Sequence, residues 1–86
     1  MKNNYRTILT YAGKREYTRK DGSTGYQECW LDDNSRIMEM NAVGGVPYDK
    51  GTTCGCVIAR YKHWDKEANR FVEQSYIESL KPVVED

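Results

Sequence analysis

The sequence predicts an all-β domain of five strands, and two observations support this class. Aromatic and β-branched residues occur in short runs bounded by Gly, Asp and Asn clusters, a pattern typical of strands joined by turns. The apolar spacing i, i+3, i+4, i+7 of an amphipathic helix is not sustained anywhere in the chain. A length of 86 residues corresponds to one small domain, 1–86.

The first two strands are predicted at residues 5–19 and 26–31, on either side of the turn-forming run 21–25. Gly13 interrupts the first strand and predicts a bulge or a sharp bend. If that bend resets the register, Tyr17 need not face the same way as the residues before it. In the second strand we interpret Trp30 as a core residue, with an exposed position as the alternative.

The remaining strands are predicted at residues 36–43, 52–63 and 71–80. In the third strand, the face carrying Met38, Met40 and Ala42 is the expected core side, since it is wholly apolar and alternates with Ile37, Glu39 and Asn41. An irregular Gly/Pro connection follows the third strand, and a polar hairpin tip precedes the fifth.

A three-stranded meander, a longer connection and a final hairpin fit an OB-fold-like open barrel, a fold that binds oligonucleotides with its second and third strands and nearby loops. A short β-sandwich is the alternative, although 86 residues are few for two full sheets. Residues 83–86 are expected to form a frayed tail. A small barrel buries a limited core, which favours a homodimer.

The formal net charge is zero, but the charges are unevenly distributed. Residues 1–20 contain six Lys or Arg and one Glu, whereas residues 21–86 contain seven Lys or Arg and twelve Asp or Glu. The basic end indicates a surface for a polyanion, and chance clustering on a solvated strand is the alternative.

The segment 11–30 combines cations with rings and is the candidate binding surface. Single-strand binding requires cations for the phosphates and rings on which bases stack. Tyrosines of small β-domains are also frequent half-buried packing residues, which is the alternative for the rings. Trp64, at the last hairpin tip, is either a contact residue, a dimer anchor or a cover for the barrel end. The candidate nucleic-acid-binding residues are Arg15, Tyr17, Arg19, Lys20, Tyr26, Tyr48 and Trp64.

The layout resembles the single-stranded DNA-binding proteins of filamentous phages, which are OB-fold homodimers. The shared pattern is TRKDGSTGYQEC at residues 18–29, GGVPYDKG at 44–51 and the Leu-Lys-Pro ending at 80–82. The resemblance implies base stacking by Tyr26, phosphate contacts by Arg15 and Arg19, and a loop contact by Tyr48. It also implies that Trp64 is contributed across a dimer.

The resemblance predicts a non-enzymatic protein that coats or protects single-stranded DNA, or RNA, in phage or plasmid DNA replication. We expect no cofactor and no small-molecule substrate. The pair Cys54 and Cys56 with His63 lacks the ligand number and spacing of structural zinc. His63 lies too far along the strand from these thiols for a Cys–His catalytic pair, and Cys29 alone could meet it through folding.

Three cysteines, no secretory signal and no apolar run long enough to span a membrane indicate free thiols in a cytoplasmic protein. The alternative function is a protein-interaction module that does not bind nucleic acid. Its acidic surface would consist of Glu28, Asp32, Asp33 and Glu39.

Overall fold

A computed structural model describes residues 2–83 and confirms the all-β class, with an antiparallel sheet of five strands. The strands are β1 (Lys2–Thr18), β2 (Thr24–Leu31), β3 (Ile37–Glu39), β4 (Thr53–Asp65) and β5 (Arg70–Pro82). Their order in the sheet is β3-β2-β1-β4-β5. The first half of β1 pairs with β4 and the second half with β2, which gives the OB-fold-like open barrel that the sequence predicts.

A β-bulge at Gly13 bends β1, as the glycine predicted. Tyr11 pairs with Trp30 and Gly13 with Cys29, so Ala12 is the extra residue. Gly13 has a φ of 93°, a conformation that glycine adopts without a steric penalty. A straight strand of 17 residues would span about 55 Å, longer than the 49 Å of the whole molecule. The bulge therefore allows β1 to belong to both halves of the sheet.

An isolated bridge joins the segment after β3 to β5, while the sheet stays open between its edge strands β3 and β5. Ala42 pairs with Ile77 in parallel, with Val43 N donating to Ile77 O and Ile77 N to Asn41 O, each at 2.9 Å. The prediction that the third strand continues to Val43 is wrong, because β3 ends at Glu39. The Asn41 side chain accepts from the backbone N–H of Glu28 at 3.2 Å, so a side chain replaces the next backbone ladder bond and the chain turns towards β5.

The core confirms two predictions about buried residues. Trp30 is 0% exposed, its Nε1 donates to Met40 O at 2.9 Å, and its ring centroid lies 5.0 Å from that of Tyr11. The predicted core face of the third strand is also observed, since Met40 and Ala42 are buried and Met38 packs against them. The core cluster comprises Leu9, Tyr11, Trp30, Met40, Ala42, Cys54, Cys56, Ile58 and Ile77.

The final hairpin is longer than predicted. β4 continues to Asp65 and β5 begins at Arg70, which leaves a tip of residues 66–69. At the other end of β5, Val83 N donates to Thr53 O at 2.9 Å. The rest of the predicted frayed tail, 84–86, lies outside the described residues. Between residues 2 and 83 the chain forms no helix with the length and apolar character that a membrane crossing requires.

Candidate nucleic-acid interface

Two hairpin arms extend from the barrel and meet at their tips. The first arm is residues 13–29 of β1 and β2, and the second arm is residues 59–76 of β4 and β5. Lys20 Nζ, in the turn of the first arm, lies 3.1 Å from Glu67 Oε2 in the turn of the second. Both side chains are exposed, so this ion pair marks a close approach of the tips at the surface and contributes little stability.

A groove lies where the barrel is open, beside the bridge between Ala42 and Ile77. Its volume is about 440 Å³, which is within the range of small-ligand sites. One wall is formed by β2, β3 and the segment after it, and the other by β4 and β5. We call it the seam groove, and its lining residues are Gln27, Glu39, Met40, Asn41, Tyr61, Glu73, Gln74, Ser75 and Tyr76.

Tyr17 and Arg19 form a compact unit on the first arm. The Tyr17 ring lies over Gly25, where an added Cβ would be 2.6 Å from Tyr17 Cζ. Arg19 Cζ lies 5.8 Å from the centroid of that ring, and Arg19 Nη1 donates to Thr24 O at 2.7 Å. Glycine at position 25 is therefore required for this arrangement. Both predicted site residues have a local structural role, and the Tyr17 ring remains 40% exposed.

Tyr26 faces away from Tyr17. In the β1–β2 register Tyr17 pairs with Gly25 and Glu16 pairs with Tyr26, and successive side chains of a strand point to opposite faces. The structure thus separates two rings that the sequence placed on one hairpin surface. Tyr26 is 57% exposed, so a stacking partner has access to this ring.

Trp64 forms an exposed aromatic pair with Phe71 near the tip of the second arm. The two residues are direct cross-strand neighbours, and their ring centroids are 5.1 Å apart in a T-shaped contact. Trp64 is 49% exposed and Phe71 68% exposed. Sequence reasoning missed Phe71, although its position gave a signal: Trp64 and Phe71 flank the polar hairpin tip symmetrically.

The candidate cations are not free. Arg15 Nη2 lies 2.6 Å from Glu39 Oε1, Lys20 is paired with Glu67, and the Arg19 guanidinium bonds within its own turn. The sequence concentrates acids outside the first twenty residues, but the fold brings two of these acids back to the first arm. A phosphate bound by Arg15 or Lys20 therefore shares or competes for a cation that already contacts a carboxylate.

Tyr48 lies apart from the arms, in the connection between β3 and β4, where it is partly buried and packs against the core cluster. A core contact accounts for this residue. The loop contact implied by the phage resemblance stays a prediction.

The acidic surface proposed as an alternative is smaller than the sequence indicated. Glu28 is 7% exposed and its Oε1 accepts from Ala42 N at 3.0 Å, so its assignment to that surface is wrong. Asp32 Oδ1 accepts from Asn34 N at 2.9 Å and Arg36 N at 2.8 Å, because it holds the turn between β2 and β3. Glu39 is paired with Arg15.

The three thiols are free, and Cys54 and Cys56 are buried. Burial raises the pKa of both, and that of Cys56 to about 11, which keeps Cys56 protonated at neutral pH. No group of three or more His, Cys, Asp or Glu side chains within residues 2–83 is arranged to hold a metal ion.

Comparison of the chain with models of known protein families, with curated proteins and with solved structures finds no match.

Proposed function

We propose that this chain binds single-stranded nucleic acid and performs no reaction on it. The observation that supports the proposal best is the placement of exposed rings on both arms, Tyr26 on the first and Trp64 with Phe71 on the second. The tips of these arms meet, and the seam groove lies between β3 and β5. A flexible strand can follow such a surface, whereas a rigid duplex presents no unstacked bases to the rings.

Stacking is the larger energetic contribution in this proposal. Each base stacked on an aromatic ring contributes about 1–3 kcal/mol, and two separate ring surfaces are available on Tyr26 and on the Trp64–Phe71 pair. Arg15, Arg19 and Lys20 meet phosphates, but at Arg15 and Lys20 each such contact competes with an existing ion pair. Affinity therefore depends on rings more than on charge.

The proposal includes the biological setting implied by the phage resemblance. The chain acts as a homodimer that coats single strands during phage or plasmid replication, in the reducing cytoplasm. The three free thiols support the reducing compartment. The exposed Trp64–Phe71 pair supports a contact between subunits as well as a contact with bases.

Tryptophan fluorescence tests the proposal directly, because Trp30 is fully buried and Trp64 is half exposed. Adding a mixed-sequence single-stranded oligonucleotide at low salt should quench Trp64. Trp64→Phe should remove the quench, while anisotropy of a labelled oligonucleotide still reports binding. Trp64→Ala should weaken that binding about fivefold or more, since one stacking surface is lost.

Ile37→Ala serves as the matched control, since Ile37 is an exposed apolar residue on β3 outside both arms. Its affinity should equal that of the unchanged protein. If micromolar protein at low salt gives neither a quench nor a rise in anisotropy, the proposed function is wrong. If Trp64→Ala and Ile37→Ala weaken oligonucleotide binding equally, the second arm has no specific part in that binding.

A further inference from the structure

The outer face of the sheet, on the side away from the core, carries a second pocket. In β4, Gly55 and Val57 alternate with residues of the core cluster, so they face outwards. Gly55 pairs with Ile8 of β1 on one side and with Lys81 of β5 on the other. The volume of the pocket is about 470 Å³. We call it the outer pocket, and its outward-facing lining residues are Arg6, Ile8, Gly55, Val57, Ser79 and Lys81.

Gly55 opens the floor of the outer pocket, although the fold itself does not require a glycine there. Its φ lies outside the left-handed region, and the nearest atom to an added Cβ is Lys81 O, at 4.0 Å. Pairing at Gly55 is regular on both sides, since the irregularity of β4 lies between Val57 and Ile58. A glycine inside a strand weakens the sheet and often marks a bulge, a tight bend or the close approach of a ligand. Without a bulge or a left-handed backbone at Gly55, the open space favours the approach of another molecule.

The outer pocket is basic. Arg6 and Lys81 are exposed and are the charged residues of its lining, which contains no acid among the described residues. Within residues 2–83, neither cation takes part in an ion pair. Arg15 and Lys20 of the first arm, in contrast, each contact a carboxylate. A phosphate at the outer pocket therefore meets cations for which no such carboxylate competes.

The cations border an apolar floor with one hydroxyl group. Ile8 is 59% exposed, Val57 is partly buried, and Ser79 is the cross-strand partner of Val57. Arg, Lys and Ser side chains are the usual partners of nucleic-acid phosphates, and the carbon atoms of a sugar suit an aliphatic floor. The part of the chain that the structure describes places no aromatic ring in this lining. The outer pocket therefore suits the backbone of a strand rather than a stacked base.

The charges do not favour a second copy of this chain as the occupant. A two-fold contact brings the same patch of both copies together. It would place Arg6 and Lys81 against their own copies, and the described lining offers no acid to offset this repulsion.

The outer pocket continues one face of the first arm. The β2 partners of Thr10, Arg15 and Tyr17 are an even number of residues apart, and side chains two apart in a strand share a face. Arg15 and Tyr17 therefore point to the same side of the sheet as Thr10, and so do Ile8 and Arg6 before the bulge. A strand that lies along this face of the first arm reaches the outer pocket by following β1.

We propose that the outer pocket binds the phosphate–sugar backbone of the single strand, with Arg6 and Lys81 on its phosphates and Gly55 leaving room for it. This inference rests on the proposed function and adds a part of the path that the rings do not cover.

Salt titrations followed by the anisotropy of a labelled oligonucleotide test the inference. Arg6→Gln and Lys81→Gln should each weaken binding and reduce the magnitude of the slope of log binding constant against log salt by about 0.7. The defect of each variant should therefore shrink by about 2.6-fold between 50 and 200 mM salt. Gly55→Ile fills the outer pocket and should weaken binding severalfold. Its midpoint in urea should stay equal or rise, because the added side chain has room and β-branched residues favour strands.

Arg36→Gln is the matched control, since Arg36 is an exposed cation in the turn before β3, outside the lining. Its salt slope should equal that of the unchanged protein. Unchanged slopes in both Arg6→Gln and Lys81→Gln, or full affinity in Gly55→Ile, would overturn the inference. The proposed function would then stand as long as the oligonucleotide still quenches Trp64.

A labelled poly-glutamate peptide separates the strand from an acidic protein partner. If the peptide binds the unchanged protein but not Gly55→Ile, while the oligonucleotide binds both equally, the outer pocket takes a protein and the inference is wrong. If the unchanged protein does not bind the oligonucleotide at low salt, the proposed function is rejected together with this inference.

Discussion

Glu28 bonds to the segment that follows β3 and bridges to β5, and its replacement tests what holds this segment in place. Its Oε1 accepts from Ala42 N at 3.0 Å, and its backbone N–H donates to the Asn41 side chain. The bridge from Ala42 to Ile77 follows directly. One buried carboxylate therefore anchors the wall of the groove that includes Asn41.

The magnitude follows from the burial of the partner. Ala42 is buried, so Glu28→Ala leaves its N–H without a bond at a cost of about 1–3 kcal/mol. For a domain of this length, each kcal/mol lowers the melting temperature by about 4–8 °C. A loss of about 2 kcal/mol thus predicts a melting temperature lower by roughly 8–16 °C.

Glu28→Gln should behave differently. Oε2 of Glu28 is buried and has no hydrogen-bond partner within the described residues, so an amide nitrogen in its place also lacks one. Glutamine keeps an acceptor for Ala42 N, so its free energy of unfolding should lie between that of the original and that of Glu28→Ala. Alanine and glutamine at this position therefore have distinct expected stabilities.

Urea unfolding followed by the fluorescence of Trp30, which lies in the core, measures these differences. Asp33→Ala, at an exposed acid in the neighbouring turn, is the control and should leave stability unchanged. The explanation is refuted if Glu28→Ala is as stable as Glu28→Gln. A loss shared equally by both variants would not come from the bond to Ala42.

Three further predictions concern a ring, the bulge and the thiols. Tyr26→Ala should weaken oligonucleotide binding by about 1–3 kcal/mol without changing the melting temperature, because the ring is exposed; a lower melting temperature would identify it as a packing residue. Gly13→Ala should cost about 1–2 kcal/mol in urea unfolding, since φ is 93° and the nearest atom to an added Cβ is 3.7 Å away; an unchanged midpoint contradicts this. Iodoacetamide at pH 8 should label Cys29 first. Burial raises the pKa of Cys54 and that of Cys56, the latter to about 11, and keeps these two thiols protonated. Equal labelling rates of the three cysteines in mass spectrometry would contradict this expectation.

Local signals were sufficient to predict the strands, because turn residues and alternation act over a few positions. Gly13 marked the bulge, and the Asp-Gly run marked the first turn. The end of β3 was not predictable in this way. It depends on the Asn41 side chain replacing a ladder bond and on the bridge to Ile77, a partner that is distant in sequence.

The candidate site shows the same limit. Tyr26 and Tyr17 face opposite ways because of the pairing register beyond the bulge. Neither residue type reveals this register. The ion pair of Arg15 with Glu39 requires two registers together, since Arg15 pairs with Gln27 and Glu39 pairs with Cys29. Sequence reasoning therefore found exposed rings and cations but could not determine which acids would meet them.

The neutral net charge has a local structural meaning. Where a phosphate takes the place of Glu39 at Arg15, the electrostatic gain is the difference between two exposed ion pairs, each worth about 0.2–1 kcal/mol. The released carboxylate attracts a cation from solution, which offsets the cation that the phosphate gives up. For single strands, the logarithm of the binding constant usually changes with the logarithm of the salt concentration with a slope of about −0.7 per phosphate contact. The slope should be smaller in magnitude for contacts at Arg15 and Lys20. A stacked base contributes more than such an exchange, so the proposed binding should depend on the exposed rings more than on the basic strand.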